Sequence, residues 1–114
     1  MTQRIHCRHS FACTTERFWE VYWDPEFNRQ LREHIGLREL TLLSEEHYED
    51  RIERVIRTVP DREMPAAVRR VAGGAGPGYN ELRVWWKDRR VMQWSVTPDL
   101  MPERIRCTGF LRAH

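Results

Sequence analysis

Cysteine, long apolar runs and an excess of one charge are all scarce in this chain of 114 residues. The 3 cysteines, Cys7, Cys13 and Cys107, are an odd number without CxxC spacing, so we expect reduced, partly buried thiols and no disulfide framework. No apolar run approaches the roughly 20 residues of a membrane span, and the N-terminus shows no apolar signal segment. These absences predict a cytoplasmic protein that does not cross a membrane.

Charge is nearly balanced along the chain. Lys and Arg number 19 and Asp and Glu number 17, and basic residues alternate with acidic ones, so we expect no nucleic-acid partner. The basic doublets Arg69 with Arg70 and Arg89 with Arg90 are interpreted as solvated edges of helices or strands. The length predicts a single domain over residues 1–114, whose one core buries about 65% of the unfolded surface.

Aromatic residues, by contrast, are concentrated between positions 18 and 23. Four rings lie there, at spacings that form i,i+4 pairs on a helix: Phe18, Trp19, Tyr22 and Trp23. Thr14 or Thr15 is the predicted N-cap of this short helix. Asp24 and Pro25 then begin a second helix, which Gly36 ends in a left-handed conformation. The sequence therefore predicts two short helices joined without a linker.

The hydrophobic pattern elsewhere is that of strands. Residues 4–12 alternate, with Ile5, Cys7, His9 and Phe11 on one face, and predict a first strand. After Gly36 the pattern predicts a meander of at least five strands, with a turn at residues 44–46, a helical turn from Pro65 to Val71, a glycine-rich loop at residues 73–78, and a turn at residues 87–90. The last strand contains Ile105, Cys107 and Gly109. The predicted class is α+β.

Two segments resemble the START-like superfamily, also called the helix-grip or SRPBCC superfamily. The first is HSFACTTERFWEVYWDPEFNRQLREHIGLRELTLL, in which Asp24, Pro25 and the aromatic cluster carry the match. The second, RVIRTVPDREMPAAVRRVAGG, is similar to an uncharacterised bacterial branch with a short insert helix opened by proline. The resemblance implies a curved antiparallel sheet, two short N-terminal helices, and an apolar groove for lipids or other hydrophobic small molecules.

The chain departs from the superfamily at its C-terminus. After IRCTGFLRAH there is no long final helix of the kind that the sheet grips in START-like domains, so we expect a domain truncated at the C-terminus. Natural truncation, removal of the C-terminal part, or a groove covered by a second copy or a partner protein would each account for this. Because an open apolar groove is uncommon on a monomer, we expect self-association.

The candidate ligand-binding residues are those that strand and helix periodicity assigns to the groove. Arg54 is expected to orient a carboxylate or phosphate head group; the alternatives are that it extends to the sheet edge or forms an ion pair with Glu81 or Glu39. Each tryptophan has ordinary core packing as its alternative role, and His9 has a simple hydrogen bond. The full candidate set is His9, Phe11, Trp19, Tyr22, Ile52, Arg54, Ile56, Trp86 and Trp94.

Catalytic and metal sites receive little support from the sequence. His6, Cys7, His9 and Cys13 have the side chains that zinc prefers, but strand alternation directs His6 away from Cys7 and His9. The GGAGPG loop lacks the Lys-Ser/Thr of a phosphate-binding loop and follows a helix. We therefore predict no catalytic residue, no metal and no cofactor.

Three functions are consistent with these observations. The first is a noncatalytic START-like module that binds a hydrophobic small molecule or lipid. The second is an interaction module whose open groove docks a second copy or a partner helix. The third, less favoured, is a polyketide cyclase-type enzyme that would use His9, Tyr48, Asp50 and Arg54.

Overall fold

The structure is a computed structural model that describes residues 3–71 and 76–114. Three helices and five strands follow one another along the chain: α1 (Thr15–Trp23), α2 (Pro25–Ile35), β1 (Leu37–His47), β2 (Arg51–Pro60), α3 (Ala66–Val71), β3 (Tyr79–Trp86), β4 (Val91–Pro98) and β5 (Cys107–Arg112). The strands form one open antiparallel sheet in the order β1-β2-β3-β4-β5. The predicted α+β class and the five-stranded meander are confirmed.

Both predicted helices at the N-terminal side are present with the expected caps. Thr14 accepts a hydrogen bond from the backbone N–H of Arg17, which fixes the start of α1. Asp24 is both the C-cap of α1 and the N-cap of α2, where its Oδ1 accepts from the N–H of Glu26 at 3.0 Å. Gly36 ends α2 at a φ of 72°, a conformation that costs glycine little because it has no Cβ.

The predicted first strand is wrong. Described residues 3–14 form neither helix nor strand, and Ile5 and Phe11 are 82% and 64% exposed. An alternating pattern makes a segment suitable for pairing, but a strand also needs a neighbour to accept and donate its backbone hydrogen bonds. No described residue pairs with this segment.

The turn between the first two strands also lies later than expected. The sequence predicted it at residues 44–46, whereas β1 continues to His47 and residues 48–50 make the connection. Register shifts between Leu42 and Ser44 absorb an extra residue as a β-bulge, and such a bulge interrupts the simple alternation. Part of the predicted glycine-rich loop, residues 73–75, lies outside the described residues.

The sheet has two faces, which we distinguish by their position relative to α1. The Trp19 ring lies 4.5 Å from the Trp85 ring, so the inner face is the one that bears Trp85. Strand register assigns the other inner-face residues, among them Ile52, Arg54, Ile56, Arg83, Met92 and Trp94. The outer face carries Arg51, Arg57, Val84, Trp86 and Val91.

The buried core is small. Trp19, Ile56 and Met92 on the helix side and Val84 and Val91 on the other side are the buried apolar residues, and Met92 is the least exposed at 2%. The cysteines are free and exposed, so the expectation of partly buried thiols is wrong. Within the described residues, no helix is long and apolar enough to span a membrane.

Candidate functional site

The aromatic side chains of α1 form a continuous cluster on the inner face. The centre of the Trp19 ring lies 5.0 Å from that of Phe18, 5.4 Å from that of Tyr22 and 4.5 Å from that of Trp85. Trp23 continues the cluster, with its ring 4.8 Å from Tyr22 and 6.3 Å from Trp85 at an interplanar angle of 71°. The edge-to-face and tilted arrangements are those that aromatic quadrupoles favour.

An open depression of about 370 Å³ lies beside this cluster. Three indoles line it, those of Trp19, Trp23 and Trp85, and the charged residues Glu16, Glu20 and Arg90 complete it. Arg90 bonds Glu16 at 2.8 Å, and this hydrogen bond is the main cause of the lowered pKa of the Glu16 carboxyl. The depression is thus an aromatic surface bordered by charges.

Trp19 occupies the centre of the cluster and is only 6% exposed. Its indole Nε1 is the buried side-chain polar atom for which the described residues supply no hydrogen-bond partner. Such groups are uncommon in folded proteins because an unmade buried hydrogen bond is costly. The cluster therefore contains a donor that lacks an acceptor within the described part of the chain.

Two arginines lie next to the aromatic cluster on the inner face. The Arg54 guanidinium stacks 4.3 Å from the Trp23 ring centre, and its Nε donates to Glu45 at 2.5 Å. The Arg83 guanidinium lies 5.6 Å from the Tyr22 ring centre, and its Nε donates to Glu81 at 2.8 Å. These contacts connect β1, β2 and β3 to the aromatic face of α1.

Burial and ion pairing shift the pKa values around these arginines. Burial opposes the charge of Arg83, but the hydrogen bond to Glu81 and nearby negative charge outweigh it, so its pKa lies above the ordinary value. Burial also raises the pKa of the Tyr22 phenol. Hydrogen bonds from His47 and then from Arg54 lower the pKa of Glu45. At neutral pH Arg83 and Glu45 are therefore charged, and Tyr22 is neutral.

Six of the nine candidate residues lie on α1 or on the inner face. Ile52, Arg54 and Ile56 follow one another on β2, Trp94 lies on the same face of β4, and Trp19 and Tyr22 belong to the aromatic cluster. The Trp94 indole lies against Gly109, where a Cβ would overlap it. The structure thus brings these six to one side of the sheet.

Trp86 lies elsewhere. Its side chain is on the outer face, where Nε1 donates to Gln93 at 3.3 Å and the guanidinium of Arg89 lies 5.2 Å from the ring. The neighbouring Trp85 is the residue that faces α1. Successive residues of a strand point to opposite faces, and no sequence pattern indicated which of the two tryptophans was on the helix side.

His9 and Phe11 belong to the segment that precedes α1. Both are exposed, although the Phe11 ring contacts that of Phe18 at 5.5 Å between centres. Phe11 therefore extends the edge of the aromatic cluster. For His9 the structure gives no hydrogen bond or ion pair with a described residue.

Several residues of the site were absent from the candidate set. Trp23 and Trp85 line the depression, and Arg83, Glu45 and Glu81 form the charged network beside it. The i,i+4 spacing of Trp19 and Trp23 was a usable signal for Trp23. No sequence signal pointed to Arg83, because its position opposite Arg54 depends on the register of β2 and β3.

The four residues considered for a cyclase-type reaction lie in different parts of the molecule. Tyr48 and Asp50 lie in the turn between β1 and β2, Arg54 lies on the inner face, and His9 precedes α1; no hydrogen bond joins any of these within the described residues. Arg54 pairs with Glu45, and not with Glu81 or Glu39, the partners that the sequence suggested as an alternative. Among residues 3–71 and 76–114 no cluster of metal-ligating side chains occurs.

Comparison with known proteins gives no relative. No family model, no curated protein and no solved structure matches this chain.

Proposed function

We propose that this chain is a noncatalytic START-like module that binds a hydrophobic small molecule or lipid between α1 and the inner face of the sheet. The observation that carries the proposal is the depression of about 370 Å³, where the indoles of Trp19, Trp23 and Trp85 meet. Small-molecule sites commonly have volumes of about 300–1,000 Å³, mostly apolar walls and a few polar groups. Glu16, Glu20 and Arg90 are the polar groups at this depression.

The exposure of two indoles is consistent with binding. Trp23 and Trp85 remain partly exposed beside the depression, so part of their ring surface is available to a ligand. Indoles contribute a large apolar area to any ligand that covers them. Covering this surface is therefore a source of binding free energy.

Nile red, an uncharged apolar dye, tests the proposal. We expect saturable binding that quenches or shifts the tryptophan emission, and a loss of affinity of about tenfold in Trp85→Ala, which corresponds to about 1.4 kcal/mol. Trp86→Ala is the matched control because Trp86 is adjacent in the chain but lies on the outer face. Circular dichroism checks that both variants are folded.

Two results would contradict the binding proposal. The dye could fail to bind the wild-type protein, or the two variants could lose affinity equally. Native mass spectrometry of protein purified from its own host then identifies the natural ligand, which we expect as a retained small apolar mass.

A second candidate function is an interaction module whose open surface docks a second copy of the chain. Exposed apolar side chains on α2 and β1 favour it: Phe27 is 38% exposed, Ile35 is 51% exposed, and Leu42 and Leu43 are each 53% exposed. Light scattering discriminates the two candidates. A dimer that dissociates on Ile35→Ser and Leu42→Ser substitution, and that excludes Nile red, would favour docking over small-molecule binding.

A further inference from the structure

The inner face brings two arginines together in an unusual way. Arg54 of β2 and Arg83 of β3 are direct partners across the antiparallel pair, and their side chains are only 16% and 17% exposed. Opposed residues of such a pair have Cβ atoms about 5 Å apart, and like charges in this arrangement are destabilising. A half-buried pair of like charges therefore calls for negative groups around it.

Glu45 and Glu81 balance the two positive charges but accept hydrogen bonds from only some of the guanidinium donors. Among the hydrogen bonds of the described residues, Arg54 uses its Nε towards Glu45, whereas Arg83 uses its Nε and Nη2 towards Glu81. Both terminal nitrogens of Arg54 and the Nη1 of Arg83 have no acceptor within the described residues. Arginine presents its donors in a planar fork that suits the oxygens of a carboxylate or phosphate.

Two aromatic rings of α1 hold the guanidiniums against the aromatic cluster. Trp23 lines the depression and also stacks with Arg54, so it is common to the apolar site and the charged site. Tyr22, the next ring of α1, lies over Arg83. A cation that is stacked on an aromatic ring loses less side-chain freedom when it binds an anion, because its position is already restricted.

Glu45 can give up its hydrogen bond with Arg54 and still keep a partner. The other carboxylate oxygen of Glu45 lies 3.2 Å from Nε2 of His47. Glu45 therefore keeps a partner when the oxyanion of a ligand binds Arg54 in its place. The Glu45 side chain is also 36% exposed at the edge strand, where water solvates it. Exchange of one carboxylate for another at Arg54 therefore leaves no buried charge alone.

We infer that Arg54 and Arg83 receive the oxyanion head of an amphiphilic ligand whose apolar body lies against Trp19, Trp23 and Trp85. The inference rests on the proposed function, because it assigns a chemical class to the ligand of the same site. The shared chemistry of the head is a carboxylate or a phosphate, either of which presents oxygens to both guanidiniums.

Competition against bound Nile red tests this ligand class with the wild-type protein alone. Dodecanoate, dodecyl phosphate and uncharged dodecanol have the same alkyl chain and differ in the head group. We expect one of the anions to displace the dye at a concentration at least about tenfold lower than dodecanol, as charge-assisted hydrogen bonds predict. The stronger of the two anions identifies the head as carboxylate or phosphate.

Arginine variants then locate the preference. Arg83→Met and Arg54→Met are expected to remove the advantage of the anion over dodecanol, with each ratio measured against the Nile red affinity of the same variant, since methionine keeps an apolar stem without the charge. Arg51→Met is the matched control, because Arg51 lies on the outer face of the same strand as Arg54 and pairs with Asp50. The control is expected to keep the wild-type ratio between anion and alcohol within about twofold.

The outcomes separate the two proposals. Equal displacement by dodecanol and by both anions overturns the oxyanion assignment and leaves the apolar site standing. An anion preference that survives in both inner-face variants also overturns it. Absence of dye binding and of displacement by all three compounds overturns the proposed function itself.

Discussion

Two adjacent tryptophans show how different the faces of the sheet are. Trp85 packs against Trp19 of α1 on the inner face, whereas Trp86 lies on the outer face beside Arg51 and Arg89. The inner face is stabilised by aromatic packing, and its two arginines pair with glutamates but leave terminal nitrogens without an acceptor among the described residues. The outer face holds its charges in ion pairs such as that of Arg57 with Asp99. The same strand therefore provides packing on one side and solvated polar contacts on the other.

Truncation of one tryptophan on each side gives the largest expected contrast. Trp19→Ala removes a side chain that is 6% exposed, and we expect it to lower the free energy of unfolding by about 3–5 kcal/mol, through lost burial and a cavity. Trp86→Ala on the outer face should cost no more than about 1–2 kcal/mol, since Trp86 is half-exposed. Urea unfolding of both variants measures the difference, and equal losses would mean that the faces do not differ in packing.

Gly109 offers a way to disturb the inner face without removing any atom. A Cβ at this position would overlap the Trp94 indole, so Gly109→Ala should cost about 1–3 kcal/mol and shift the tryptophan emission. Gly76→Ala is the control, because its Cβ would meet nothing within 4 Å. A Gly109 variant as stable as the Gly76 variant would show that Trp94 moves away freely.

The main ion pair on the outer side should make a smaller contribution that depends on pH. A hydrogen bond from Arg57 holds the pKa of Asp99 below its ordinary value of 3.8, so this contribution is present above that pH and is lost as the pH falls below it. Asp99→Asn should cost about 1 kcal/mol at pH 7 because the pair is partly exposed. The test is acid unfolding of both proteins, whose stability curves should converge at low pH; curves that stay parallel would contradict this role.

The smallest expected effect concerns the pKa values of two tyrosines, Tyr48 and Tyr22. The pKa of Tyr48, beside Arg51, is raised to about 12, chiefly by its hydrogen bond to Glu46, whereas burial raises that of Tyr22. Each raised pKa adds stability below the ordinary value of 10.0 that is lost as the pH rises through the folded value.

The Glu46→Gln variant separates the two causes. It should return the Tyr48 pKa towards 10.0 and leave Tyr22 unchanged, as NMR titration of the tyrosine rings would show. A shift of both tyrosines, or of neither, would refute the assignment of different causes on the two faces.

Local signals in the sequence were sufficient for the helices and for most strands. Thr14, Asp24, Pro25 and Gly36 are capping residues whose effect depends on neighbouring backbone groups, so α1 and α2 were predicted with their ends. The prediction of a strand at residues 4–12 was wrong because strand pairing depends on a partner elsewhere in the chain. The bulge in β1 displaced the predicted turn for a related reason, since it is visible only once β2 is paired.

The site was predictable only in part. Alternation placed Ile52, Arg54 and Ile56 on one face, and the structure has all three on the inner face, where Arg54 stacks on Trp23 of α1. Alternation does not reveal which face receives a helix, and Trp86 was chosen where Trp85 faces α1. Arg83 and Glu45 are the cross-strand partners of Arg54 on either side. This pairing depends on strand register, which no local sequence pattern reveals.

Asp24 couples the two helices that carry and follow the aromatic cluster. Its N–H donates to the carbonyl of Val21, and its carboxylate accepts from the N–H of Glu26, so the end of α1 and the start of α2 share one residue. Asn28 adds hydrogen bonds to the carbonyls of Tyr22 and Asp24 across the same corner. The end of one helix cannot fray without uncapping the other. In amide hydrogen exchange the corner should therefore open as a single cooperative unit, with Asp24 and Glu26 equally protected.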